Sequence, residues 1–139
     1  MTNTYALSRP VGVLHGLYLA FLAFPVACFS LTVITDIAYW RTSNLLWLHF
    51  SEWLLLAGLV FGVLAFLVLL IDWLFVRARP PWMAILCGIV VMLLATINSF
   101  VHTSDGWTAV VPWGLAFSVL TFAAMLVTAW FSHEGDEYE

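Results

Sequence analysis

The side chains in this chain that could do chemistry are few, and they gather at two levels. One set is Asp36, Arg41, His49, Glu52, Asn98, His102 and Asp105; the other is His15 and Asp72, with Arg77, Arg79 and His133 nearby. His49 and Glu52 are three residues apart, and Asn98 and His102 four, so on helices each pair shares a face. Two histidines on different helices at similar depth are the minimum for bis-histidine ligation of a b-type haem. A neutral imidazole also suits other metals, to which Glu52 would add an oxygen ligand. The plainer reading makes His49 an interfacial side chain and His102 a cap at a helix end. The sequence favours it, because no flanking motif accompanies the two histidines.

Asp36 stands in Thr35-Asp-Ile-Ala-Tyr39, with Arg41 and Glu52 as candidate partners in a loop network rather than a catalytic one. His102-Thr-Ser-Asp105 is expected to order a turn through Asp–backbone hydrogen bonds. Asp72 needs a partner inside a membrane, and His15 or Arg77 would serve in an ion pair that fixes helix register; proton handling is the alternative. No ionisable group falls at the middle of an apolar run, which argues against a continuous ion path.

The elements that must position these groups are four apolar runs, Val11–Tyr39, Leu45–Val76, Trp82–Val101 and Ala109–Phe131. Each has the ~20 apolar residues needed to cross a ~30 Å hydrocarbon core. The chain of 139 residues is 64% hydrophobic and 9% charged, against about 25% charged in soluble domains. The fold class predicted is an all-α integral membrane protein, a four-transmembrane-helix up-down bundle. It forms a single transmembrane domain over 1–139, with helices at about 11–39, 45–76, 82–102 and 108–131 and an acidic tail at 132–139. Four spans leave no room for a soluble catalytic domain. The first run is too long for a signal-peptide core and is expected to stay.

Net charge is −4, but Glu134, Asp136, Glu137 and Glu139 crowd the last six residues, so the tail reads as a solvated end. No basic tract suited to nucleic acid is present. Cys28 and Cys87 fall at different depths and read as small apolar residues, not a disulfide. Arg9, Arg77 and Arg79 mark one side and Arg41 the other, which predicts that both termini are cytoplasmic. Trp40, Trp47, Trp107 and Trp113 at one level, and Trp73, Trp82 and Trp130 at the other, suit interfacial belts. Pro25 is expected to kink the first helix, and Arg77-Ala-Arg-Pro-Pro81 to separate the second and third.

Small or polar residues recur on each run at three- and four-residue steps, and these stripes are expected to form the bundle interior. They are Gly16, Ala20, Ala23, Ala27 and Ser30; Ser51, Gly58, Gly62, Ala65 and Asp72; Gly88, Ala95, Asn98 and His102; and Gly114, Ser118, Thr121 and Thr128. Gly58-x-x-x-Gly62 suits intrachain packing first and a homo-oligomer contact second. No phosphate loop, His-Glu-x-x-His, Cys-x-x-Cys or Gly-x-Ser-x-Gly occurs.

Pro25, Thr35-Asp-Ile-Ala-Tyr39, Trp53-Leu-Leu-Leu-Ala-Gly58, Gly62, Ile71-Asp72-Trp73, Asn98, His102-x-x-Asp105 and Gly114-Leu-Ala-Phe-Ser118 resemble the "domain of unknown function 2231" membrane proteins over about residues 12–130. The resemblance implies a bacterial inner-membrane four-helix protein without assigned activity. The chain departs from the family's glycine-rich end. His49 also stands where a small apolar residue is expected, which weighs against a family-wide His49–His102 pair. The expected function is a non-enzymatic structural or accessory membrane subunit. The alternative is a small b-type haem or electron-transfer anchor using His49 and His102. A channel or transporter subunit would need an oligomeric pore.

Overall fold

The computed structural model describes residues 12–76, 82–104 and 110–136. Arg9, Arg77, Arg79, Asp105 and Trp107 lie outside the described residues. Among the described residues four helices follow one another: α1 (Val13–Thr42), α2 (Leu45–Val76), α3 (Trp82–Thr103) and α4 (Leu115–Asp136). All four spans are long and apolar enough to cross a membrane. Large apolar side chains face outward from every helix, among them Leu19, Ile34, Phe66, Leu93 and Leu126. That is the surface of a protein whose solvent is lipid, so this is an all-α, four-helix membrane protein.

The helices pack in a ring, α1 beside α2, α2 beside α3, α3 beside α4 and α4 beside α1. The α1–α2 link is short because two residues carry all of its chemistry. Ser43 takes the left-handed conformation and its N–H bonds the Tyr39 carbonyl at 2.7 Å, which closes α1. Asn44 then accepts the Leu46 N–H on Oδ1 at 3.0 Å, capping the start of α2. α1 runs three residues past the Tyr39 boundary read from hydropathy, because polar Thr42 donates to the Ala38 carbonyl and needs no water to remain helical. The chain also stays helical through Pro25, which is buried.

α4 is entered through a kinked segment, Val110–Gly114. Pro112 has no N–H and forces the residue before it to be extended, and Val111 is extended (φ −123°, ψ 118°). The Val111–Pro112 peptide is cis. Gly114 sits where a Cβ would lie 2.9 Å from Cε1 of His102, so a glycine lets α4 close on α3 there.

Two apolar clusters fill the interior. Phe29, Leu55, Val91 and Ala95 form the larger one, joined by Leu59, Met92, Ala124 and Met125. Tyr39, Leu48 and Val110 form the other, near the Ser43 end. The glycines of α2 are used within the chain. A Cβ on Gly58 would lie 2.3 Å from Cε1 of Phe29 on α1, and one on Gly62 would lie 2.6 Å from Sδ of Met92 on α3. Both are buried under the chain's own helices, so the Gly58–Gly62 face is not an outward surface for a second copy.

The small-residue stripe predicted for α1 does not face inward. Gly16, Ala20, Ala23 and Ala27 are exposed and Ser30 is half-buried, while Pro25, Cys28, Phe29, Thr32, Thr35, Asp36 and Tyr39 are buried. A helix turns about 100° per residue, which sets Ala27 opposite Asp36. Small residues permit close approach without requiring it. A carboxylate in lipid requires burial, and Asp36 therefore decides which face of α1 turns in. On the other three helices the inward residues include Ser51, Gly58, Gly62, Ala65, Ala95, Asn98, His102, Gly114, Ser118 and Thr121.

Gly58→Ala should displace the fully buried Phe29 ring and destabilise the bundle by about 1–3 kcal/mol. Gly88→Ala, where an added Cβ meets nothing within 4 Å, should be neutral or stabilising by up to about 1 kcal/mol. Thermal unfolding of the two variants in detergent, followed by circular dichroism, gives the comparison.

Candidate functional site

Most hydroxyls in the helices are satisfied locally. Thr32, Thr96, Thr121, Thr128 and Ser132 each donate to the carbonyl four residues earlier, the usual solution where no water is at hand. Thr35, Ser51 and Ser118 differ, because their oxygens also cross to another helix.

They meet at Asp36. Ser51 of α2 donates to Oδ1 at 2.6 Å, His102 Nε2 of α3 lies 2.9 Å from Oδ1, and Ser118 of α4 donates to Oδ2 at 2.5 Å. One carboxylate on α1 thus holds one polar side chain from each of the other three helices. A second tier supports these partners. Thr35 Oγ1 lies 2.7 Å from Ser51 Oγ, Asn98 Nδ2 donates to Ser118 at 2.7 Å, and His102 Nδ1 lies 3.0 Å from the Asn98 carbonyl. All six residues are buried, Asp36, Ser51 and Asn98 completely.

Hydrogen counting fixes most directions. Each serine has one hydroxyl hydrogen and gives it to Asp36, so each accepts from its second neighbour. The Asn98 carbonyl only accepts, so His102 carries a hydrogen on Nδ1. The Nε2–Oδ1 contact then needs one more proton between them. The pair is either imidazolium with carboxylate or imidazole with carboxylic acid, and its net charge is zero in both forms. Neutrality and full hydrogen bonding are what make such a group tolerable in a low-dielectric interior. Apolar residues close the node on both sides along the bundle axis: Tyr39, Leu48 and Val110 toward the Ser43 end, Phe29, Leu55 and Ala95 away from it.

This is not a nucleophilic triad. In a triad the serine donates to imidazole, which then takes its proton. Here both serines donate to the carboxylate, and the imidazole is engaged through both nitrogens. Nor does the structure join the two histidines. The His102 side chain is fully buried, whereas the His49 side chain is 63% exposed. His49 stands two positions from inward-facing Ser51, about 200° around α2, and its Nδ1 pairs with Glu52 at 3.1 Å. A haem iron bound to His102 Nε2 would have to displace that nitrogen's contact with Asp36. Among the described residues no three His, Cys, Asp or Glu side chains converge as a metal site.

The other predicted positions fall as follows. Arg41 is exposed and Glu52 half-buried, and neither is the hydrogen-bond partner of Asp36 in the node. His15 is exposed, its ring centroid 6.4 Å from that of Tyr18, and Asp72 is half-buried; among the described residues no hydrogen bond or ion pair joins His15 to Asp72. Sequence reasoning named Asp36, Asn98 and His102 but treated Ser51 and Ser118 as packing residues. Their signal was present: both lie on inward stripes at the level of Asp36.

A family model described as "Predicted membrane protein (DUF2231)" matches residues 14–135. No curated protein and no solved structure matches the chain.

His102→Leu should strand an uncompensated carboxylate and cost about 3–5 kcal/mol. The double variant Asp36→Leu, His102→Leu should cost less than His102→Leu alone, since a buried pair replaced by apolar residues leaves no unpaired charge. Thermal unfolding in detergent ranks the two, and a double variant less stable than the single would show that the pair contributes more than it costs.

Proposed function

We propose that this chain, which belongs to the DUF2231 family of predicted membrane proteins, acts as a non-enzymatic structural or accessory subunit of the bacterial inner membrane. The observation that carries this reading is the use of the Asp36 node. Both carboxylate oxygens and both His102 nitrogens are taken up by partners on the chain's own helices, in a layer closed by apolar side chains. A reacting centre needs a nucleophile, base or ligand atom that a substrate can reach. Here the groups with chemical capacity are spent on helix register, the attested use of buried polar groups in membrane bundles.

The b-type haem alternative rests on His49 and His102, and their placement on different sides of α2 counts against it. A visible spectrum of the detergent-purified protein, oxidised and then dithionite-reduced, is the test. A spectrum without a Soret band, unchanged after growth with added haem, is expected. A Soret band with sharpened α and β bands on reduction, lost on replacing either histidine, would overturn the reading.

Orientation is part of the proposal. Arg9, Arg77 and Arg79 against Arg41 support cytoplasmic termini. With Cys28 and Cys87 replaced by alanine, a membrane-impermeant maleimide added to spheroplasts should label Ser43→Cys and spare Ser132→Cys. The reverse pattern would turn the molecule over.

A further inference from the structure

The Asn98 side chain is fully buried, yet its Oδ1 accepts no hydrogen bond. Turning the amide by half a turn would offer that oxygen to Ser118, 2.7 Å from Nδ2. It cannot do so while the single Ser118 hydrogen is committed to Asp36 Oδ2, because two acceptors would then face each other. The chain therefore runs in one direction, from Asn98 N–H to the Ser118 oxygen and from Ser118 O–H to the carboxylate. The state of the carboxylate sets that direction, and the orphaned amide oxygen is its consequence.

We propose that Asp36, Ser118 and Asn98 form a proton-responsive switch in which one added proton reverses this hydrogen-bond chain. The proton comes from water at the Ser43 end, enters when the Tyr39–Leu48–Val110 layer opens, and binds Oδ2 of Asp36. The new O–H donates to Ser118 Oγ, Ser118 rotates its hydroxyl toward Asn98, and the amide turns so that Oδ1 accepts. Oδ1 of Asp36 still accepts from Ser51 and from His102 Nε2–H, and His102 Nδ1–H still holds the Asn98 carbonyl. Every contact between helices survives and no bond between heavy atoms forms or breaks; the node gains one unit of positive charge, and the cost of burying it confines this state to acid pH. The reverse change is not equivalent. Losing the shared proton would set the Nε2 lone pair against Oδ1 and open the α1–α3 contact. The node thus accommodates one proton or two, but not none.

The titratable and charged groups around it are few. α3 brings His102 itself. α2 brings Glu52, next in sequence to Ser51 and paired with exposed His49. α1 brings Tyr39 and, exposed beyond it, Arg41. α4 brings none between Val110 and Ser132. The switch would let a stable bundle register acidity on the Ser43 side as an internal reorientation, without a shift of any helix.

Infrared difference spectroscopy of the full chain in lipid vesicles, between neutral and acid pH, tests the proposal. Isotope-labelled asparagine in an Asn3→Ser, Asn44→Ser background leaves the label at Asn98 alone. A protonated-carboxyl band and a shift of the labelled amide carbonyl band should appear together, with one midpoint. Ser118→Ala should keep the carboxyl band and lose the amide shift. Asp36→Asn should lose both; should that variant fail to fold, Asp72→Asn should keep both. An amide band that stays fixed through acidification of the folded protein, or that titrates apart from the carboxyl band, overturns the switch, as does an amide shift that persists in Ser118→Ala.

Discussion

A carboxyl group inside a lipid-facing bundle must be given the hydrogen bonds that water would have supplied, and the rest of this structure is arranged around that requirement at Asp36. Its two oxygens take one partner from each of the other three helices. Removing any helix from the ring would leave a carboxylate, imidazole or hydroxyl short of a partner. Lipid gives helices no hydrophobic reason to associate, so a polar node with a single satisfying geometry supplies specificity that apolar packing cannot. It fixes the rotation of α1, and through Ser51, His102 and Ser118 it fixes the rotation of the other helices against it.

Packing makes that node geometrically possible. Gly58 admits the Phe29 ring between α1 and α2, Gly62 admits Met92 from α3, and Gly114 leaves room for the His102 imidazole. Each glycine sits where a methyl group would meet a side chain from the next helix. Apolar layers then close over the polar one along the bundle axis, and the low dielectric they create raises the cost of leaving any of its groups unpaired. Packing and polarity are therefore coupled: close approach brings the partners within reach, and exclusion of water makes their contacts matter.

The same coupling explains which residues were legible as a site. Asp36, Asn98 and His102 stand out because polar side chains in apolar runs are costly and few. Ser51 and Ser118 do not, because a serine in a membrane helix ordinarily bonds its own backbone, as Ser132 does here. His49 looked equivalent to His102 by depth, and nothing local reveals that it points the other way. The α1 stripe from Gly16 to Ala27 was as regular as the other three, yet it faces outward.

The amino-acid sequence alone determined the solvent, the number of helices and the family resemblance. These follow from local quantities: hydropathy summed along a run, and the stop imposed by proline. Only the tertiary structure decided the partners of Asp36, the separation of the two histidines, the intrachain use of Gly58 and Gly62, and the inward face of α1. Those depend on how four helices rotate against one another. That rotation is set by satisfying all buried polar groups at once, a condition shared by residues far apart in the chain and contained in no single segment of it.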